Sequence, residues 1–223
     1  KTFKNKISFS LLDKSANLYM ENNFILDNYF KKNKKIYVKN LSKDLEGKFN
    51  NQNILIAYIC VNLLRLPLRT FHNVIENFKG LPFRSNVIYN SKKIKIINNS
   101  KSTNISSAIS SIENYDNIYL ILGGIAKEKN FKIFKNYKSK IFCVYVFGQS
   151  SSFIEKKLKK YLQIKAFKNL NDVIKQIFYD IKNVNSQVNI IFSPACSSYD
   201  QYKNFENKGL SFTKIIKENL HKK

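Results

Sequence analysis

Short apolar runs closed by small or polar residues recur through the second half of the chain. Residues 118–122 run apolar into Gly123-Gly124, 141–147 into Gly148, and 188–192 into Ser193. Runs of this length with turn residues at their ends predict buried strands. Shorter strands are predicted at 165–167 and as a pair at 87–89 and 94–97. Apolar residues at helical spacing predict helices over 104–112, 152–161, 170–181 and 209–220. Strand and helix therefore alternate, which predicts an α/β fold with a mainly parallel sheet and helices on both faces.

The first third reads differently. Residues 6–12, 17–20, 23–26 and 36–38 predict short strands, with Asn22-Asn23 as a turn. The basic run at 31–35 reads as solvated. Residues 54–64 are almost unbroken apolar, long enough for a helix, and predict a buried one. Asn50 and Asn53 stand at its start, where an Asn side chain can accept from free helix N–H groups. Residues 69–78 predict a second helix, with Phe71, Val74, Ile75 and Phe78 on one face. Lys79-Gly80-Leu81-Pro82-Phe83-Arg84 is a Gly/Pro break. It predicts a domain boundary, with one domain over 1–80 and another over 81–223.

Composition changes this picture little. The chain has 223 residues, 43% hydrophobic and 14% aromatic, enough for one large or two small cores. The formal charge of +24 raises nucleic acid or an anionic membrane as partners. The charge is mostly Lys, spread along the whole chain, with very little of the Arg that usually reads bases. We read it as a solvated coat, with no specific nucleic acid as partner. Cys60, Cys143 and Cys196 have no metal-ligand spacing, and the first two read as buried small hydrophobes. A reducing compartment follows. No apolar run reaches the length of a transmembrane helix, and the first residues lack the pattern of a signal peptide.

Three stretches just past predicted strand ends hold the candidate chemistry, because open α/β sheets bind ligands there. Asn98-Asn99-Ser100-Lys101-Ser102-Thr103-Asn104 runs from a strand into a helix. Its free N–H groups, Lys and hydroxyls suit a carboxylate or phosphate, or form only a cap with an incidental Lys. Gly123-Gly124-Ile125-Ala126-Lys127 permits tight turning and close ligand approach, or is only a turn. Ser193-Pro194-Ala195-Cys196-Ser197-Ser198-Tyr199-Asp200-Gln201-Tyr202-Lys203-Asn204-Phe205 carries hydroxyls, amides and a Lys.

The last string closely resembles the final signature of the Mur ligases. The others follow in colinear order: Gly47 to Asn53 is similar to the family's Gly-x-His-Asn-x-x-Asn, and Gly80-Leu81-Pro82-Phe83-Arg84 to its Gly-Leu-Pro-His-Arg hinge. Residues 99–104 resemble Asp-Ser-Lys-Ala-Thr-Asn, and 123–127 resemble Gly-Gly-x-x-Lys. Phe49 and Phe83 stand where the family has His, Asn99 where it has Asp, and Glu128 where a Gly often follows the Lys. Within the family, the resemblance is to the branch that adds D-glutamate to UDP-N-acetylmuramoyl-L-alanine; folylpolyglutamate synthetase fits these strings worse.

The resemblance implies the end of a central, ATP-binding domain over 1–80 and a Rossmann-like, amino-acid-binding C-terminal domain over 81–223. It implies Lys127 and Thr103 on one D-glutamate carboxylate, Ser198 and Phe205 on the other, and Lys101 as electrostatic support in catalysis. Asn50, Asn53, Arg84 and Asn99 would lie at the nucleotide. The cofactors implied are ATP and Mg2+. No G-x-x-x-x-G-K-[ST] occurs in the chain, so the phosphate loop and magnesium ligands are expected in an earlier part of the protein. A fragment of this kind is expected to be inactive alone, and the enzyme a cytoplasmic monomer acting in peptidoglycan synthesis. The alternatives are a sister ligase with another amino acid, and a non-catalytic basic α/β module that binds nucleic acid.

Overall fold

The structure is a computed structural model that describes residues 6–42, 45 and 50–220. It divides into two compact units, Lys1–Gly80 and Leu81–Lys223.

Unit 1 holds a four-stranded sheet in the order β1 (Phe9–Ser10), β2 (Leu18–Glu21), β3 (Phe24–Asp27), β4 (Lys34–Tyr37). The two hairpin turns use left-handed residues, Asn22 and Asn23 at φ 47° and 62°, and Lys32 and Asn33 at 37° and 64°. Such turns match the twist of antiparallel strands. The strand predicted over 6–12 shrinks to two residues, because Ser10 Oγ accepts from the amides of Leu12 and Asp13 and bends the chain away. Two helices, α1 (Asn51–Leu63) and α2 (Leu68–Asn77), complete the unit.

Four expectations change here. The helix predicted as buried is one-sided: Ile54, Leu55, Tyr58 and Ile59 are buried, whereas Ile56, Leu63 and Leu64 are exposed. A small sheet and one neighbouring helix cover only one face. Cys60 falls on the uncovered side and is exposed, not buried. On α2, Phe71 and Ile75 are buried, but Val74 is exposed and Phe78 lies past the helix in extended backbone. Asn50 occupies the N-cap position of α1 but makes no capping hydrogen bond with its side chain; its Oδ1 accepts from Asn53 Nδ2 at 3.3 Å.

Unit 2 is a six-stranded sheet with helices on both faces. Its strands are β5 (Asn86–Asn90), β6 (Ile94–Asn98), β7 (Ile118–Gly123), β8 (Ile141–Phe147), β9 (Ile164–Phe167) and β10 (Val188–Phe192). Their order is β5-β6-β10-β7-β8-β9, parallel except for β5 at the edge. The helices are α3 (Ile105–Ile112), α4 (Ser151–Leu158), α5 (Leu170–Asp180) and α6 (Phe205–Leu220), with a 3-10 helix over Phe131–Tyr137 that the sequence pattern did not predict. Strand side chains alternate between the faces. Leu120, Leu122, Val144, Val146 and Ile191 meet α3, α4 and the 3-10 helix. Tyr119, Ile121, Tyr145, Phe147, Ile190 and Phe192 meet α5 and α6.

The closing helix begins at Phe205, four residues before the predicted start, because Asn204 Oδ1 accepts from the amide of Asn207 and caps it. That shift brings Phe205 and Lys208 onto the helix's first turn. No helix among the described residues is long and apolar enough to cross a membrane.

Candidate active site

Strands β6, β10, β7 and β8 are consecutive in the sheet, so the loops at their carboxyl ends form one ridge. Backbone hydrogen bonds lace these loops together. Asn99 N donates to Phe192 O at 2.8 Å, and Gly123 N to Pro194 O at 3.0 Å. Ile125 and Ser197 form a two-way bridge, N to O at 3.0 and 2.9 Å. Gly124 N donates to Phe147 O at 3.2 Å, and Ser150 N to Gly124 O at 3.0 Å. Gly124 is required here: its φ is +123°, and a Cβ would lie 2.1 Å from the Ser197 carbonyl oxygen.

The loop after β6 is clamped to α6. Asn98 Nδ2 donates to Gly209 O at 2.9 Å, and Ser100 Oγ donates to Phe205 O at 2.7 Å. Lys101 Nζ stands 3.9 Å above the Phe205 ring, a cation–π contact. Lys101 N donates to Phe83 O at 3.0 Å, which draws in the 83–85 segment. Phe83 and Ser85 are left-handed there, at φ 61° and 52°. The Phe83 ring packs onto Gly209, where any Cβ would meet it at 2.3 Å.

Asn99 is buried and works as a tether. Its Oδ1 accepts from Ser85 N at 3.1 Å and its Nδ2 donates to Ser193 Oγ at 3.1 Å. The Ser193 hydroxyl is in turn hydrogen-bonded to that of Ser111 at 2.9 Å. A neutral amide suits this position because it must donate with one end and accept with the other.

The start of α3 differs from the expectation of vacant N–H groups. Asn104 Oδ1 accepts from Ser107 N at 2.8 Å, and Glu128 Oε2 accepts from Ile105 N at 2.7 Å. The chain itself thus supplies the carboxylate that a helix N-terminus favours. Thr103 is half-buried just before this cap. Lys127 is exposed and makes no ion pair among the described residues.

Ser198 is buried, and its Oγ has no hydrogen-bond partner. An orphan buried hydroxyl is costly and calls for a function. Nearby, Asp200 Oδ2 accepts from Gln149 N at 2.9 Å while its Oδ1 has no partner. Lys208 is fully buried and donates to the carbonyl oxygen of Cys196 at 3.2 Å. Burial lowers its pKa from 10.5 to about 8, opposed by the nearby Cys196 and Asp200. Burial also pushes the Cys196 thiol up to about 12, so it is a packed thiol, not a nucleophile.

Unit 2 therefore gathers Asn99, Lys101, Thr103, Lys127, Ser198 and Phe205 along one ridge, with Arg84 exposed on the segment that this ridge holds. Among the described residues Arg84 makes no ion pair, so its guanidinium is not spent on a surface salt bridge. Asn50 and Asn53 belong to unit 1. Phe49 lies outside the described residues. Sequence reasoning missed Glu128 as an anchor and Lys208 as a buried cation, and no signal in the sequence marks either.

No protein-family model matches the chain. Curated relatives do. It is 36% identical over 177 residues to the UDP-N-acetylmuramoylalanine–D-glutamate ligase of Rickettsia felis, covering 79% of this chain and 39% of that protein. It is 39% identical over 197 residues to the ligase of that name from Buchnera aphidicola, covering 85% and 42%.

The chain belongs to the Mur ligase family.

Its resemblance within the Mur ligases is to the MurD type. The Rickettsia prowazekii enzyme of the same name matches over 212 residues at 33% identity, 94% of this chain and 48% of that protein. The chain thus spans less than half the length of these relatives. The fold agrees. MurF from Acinetobacter baumannii superposes over 93% of this chain and 47% of its own, with a TM-score of 0.64 at 12% identity. A pseudomurein peptide ligase type C from Methanothermus fervidus covers 91% of this chain and 42% of its own, at 0.60 and 15%.

Proposed function

We propose that this chain is the C-terminal portion of a Mur ligase that joins D-glutamate to UDP-N-acetylmuramoyl-L-alanine. Unit 1 is then the end of the central, nucleotide-binding domain and unit 2 the amino-acid-binding domain. The observation that carries the reading is the ridge itself. Thr103, Lys127 and Ser198 lie on loops laced together at the carboxyl ends of β6, β7 and β10, Phe205 opens the helix that follows the last of them, and the Ser198 hydroxyl waits there without a partner.

A dicarboxylate leaving water needs charged or strong donors at both ends. Lys127 and the Thr103 hydroxyl take one carboxylate. Ser198 and the backbone at Phe205 take the other. Lys101, held over the Phe205 ring, adds positive charge, and among the described residues it is not spent on a carboxylate. The ridge holds the amino acid so that its amine faces the acyl group to be attacked; orientation of this kind can supply much of a barrier reduction. In unit 1, Asn50 and Asn53 are the residues that the resemblance implies at a nucleotide; in unit 2 it implies Arg84, whose neighbour Ser85 is pinned by Asn99.

ATP and Mg2+ are the cofactors of this reading. Among the described residues no three His, Cys, Asp or Glu side chains come together to hold a cation, and the sequence has no phosphate-cradling loop. No step is therefore derived through either group. The partners are UDP-N-acetylmuramoyl-L-alanine, ATP and D-glutamate, and the work is cytoplasmic, by a monomer.

The test is binding of D-glutamate to the 223-residue chain, followed by amide NMR. Saturable shifts at Thr103, Ser198 and Phe205 support the reading. Shifts with meso-diaminopimelate or L-lysine instead would move the assignment to a sister ligase. Turnover of ATP by this chain alone would contradict its place as a partial enzyme.

A further inference from the structure

Lys208 is the most deeply buried charge in unit 2. It sits on the first turn of α6, fully enclosed. An ammonium carries three donors, yet among the described residues its one hydrogen bond goes to Cys196 O at 3.2 Å. Among the described residues no carboxylate lies within ion-pair distance of it. Asp200, which acts on it electrostatically, is held by its Oδ2 to the Gln149 amide at 2.9 Å. A buried, unpaired cation is expensive and is commonly replaceable by an apolar side chain at no loss of stability. Packing alone does not account for it.

Its position does. Cys196 lies two residues before Ser198, on the same buried loop, and the Ser198 hydroxyl is without a partner. Helix α6 thus brings unspent ammonium donors to the loop that carries an unspent hydroxyl donor. What the pair lacks, among the described residues, is an anionic acceptor within hydrogen-bond distance. Asp200 Oδ1, the one orphan acceptor close by, shares the loop with Ser198 and helps to keep Lys208 charged.

We propose that Lys208 is a positioning and specificity residue: by fixing the Cys196 carbonyl from below it aims Ser198 Oγ at a ligand carboxylate and supplies the positive charge that favours that carboxylate over a neutral amide. This deepens the D-glutamate reading and rests on it for the identity of the ligand. Lys208 acts through the loop and the field; it does not touch the reacting atoms.

The experiment measures affinities of the 223-residue chain for D-glutamate, D-glutamine and glutarate, by NMR titration, in wild type, Lys208→Met and Lys208→Arg. Wild type is expected to prefer D-glutamate over D-glutamine. Lys208→Met is expected to lose about tenfold or more for D-glutamate, the scale of one charge-assisted hydrogen bond, with D-glutamine changed less than about twofold. Lys208→Arg, which keeps charge and donors, is expected to restore the preference. The midpoint of thermal unfolding of Lys208→Met is expected not to fall below that of wild type, which separates this role from a structural strut.

An unchanged preference in Lys208→Met overturns the proposal, as does an equal loss for all three ligands. Failure of Lys208→Arg to restore the preference also overturns it. If wild type binds glutarate but not D-glutamate, the amino-acid reading fails, while a loss of glutarate affinity in Lys208→Met still upholds Lys208 as a carboxylate-selecting residue. If wild type binds none of the three, both fall.

Discussion

Glu128 accepts a hydrogen bond from the backbone amide of Ile105 at 2.7 Å, so the residue after Lys127 is anchored to the first turn of α3. The contact joins the loop after β7 to the helix after β6. A carboxylate at a helix N-terminus is favoured by the dipole and by the free amide. Glu128→Ala is expected to cost about 1 kcal/mol of unfolding free energy, and Glu128→Gln less. Urea unfolding of the three proteins checks this; equal midpoints would show that the anchor contributes nothing.

Gly124 tests the lacing of the loops. Alanine there would be strained at φ +123° and would drive its Cβ into the Ser197 carbonyl. Neither backbone can yield without breaking the bridge between Ile125 and Ser197. Gly124→Ala is expected to destabilise by roughly 2–4 kcal/mol and to weaken D-glutamate binding with it. A variant with wild-type stability would mean that these loops are less tightly joined than the hydrogen bonds imply.

The fold was largely legible where burial is complete. Strands β7, β8 and β10 are almost wholly enclosed, so each reads as an apolar run, interrupted only by Asn189, that Gly or Ser stops. Helix α1 was misread for the same reason: the run 54–64 looks equally apolar all round, yet only Ile54, Leu55, Tyr58 and Ile59 meet a core. The site was legible as loops but not as a network. The Glu128–Ile105 and Lys208–Cys196 contacts join residues whose spacing carries no signal, and the start of α6 at Phe205 hides behind a polar stretch. In a chain with 39 Lys and Arg, one buried Lys has nothing in sequence to mark it.

Lys208 gives a pH signature. Its folded pKa, about 8, lies below the value of 10.5 for an exposed Lys. Between those values the unfolded chain binds more protons than the folded one, so stability rises with pH. Below about pH 8 the charged group costs the fold roughly 3 kcal/mol, and the cost is relieved as pH climbs from 8 towards 10.5. Asp200 and Cys196 are the groups that act on it. The difference in stability between wild type and Lys208→Met is expected to narrow over that window. A constant difference would refute a buried, depressed ammonium.

Lys127 is exposed and makes no ion pair among the described residues, so its removal is expected to leave the fold untouched. Lys127→Met is expected to unfold within about 0.5 kcal/mol of wild type while weakening D-glutamate binding about tenfold or more. Calorimetric titration beside thermal melts separates the two effects. Unchanged affinity would remove Lys127 from the carboxylate site.

The central claim is that this chain serves a D-glutamate-adding ligase. The most direct measurement is phosphate release by the native protein that carries this sequence, with ATP, Mg2+ and UDP-N-acetylmuramoyl-L-alanine. D-glutamate, L-lysine, meso-diaminopimelate or no amino acid is added in parallel. The account predicts release that depends on D-glutamate and falls when Lys127 is replaced by Met. Release driven by another amino acid, or none from the folded protein with any of them, would contradict it.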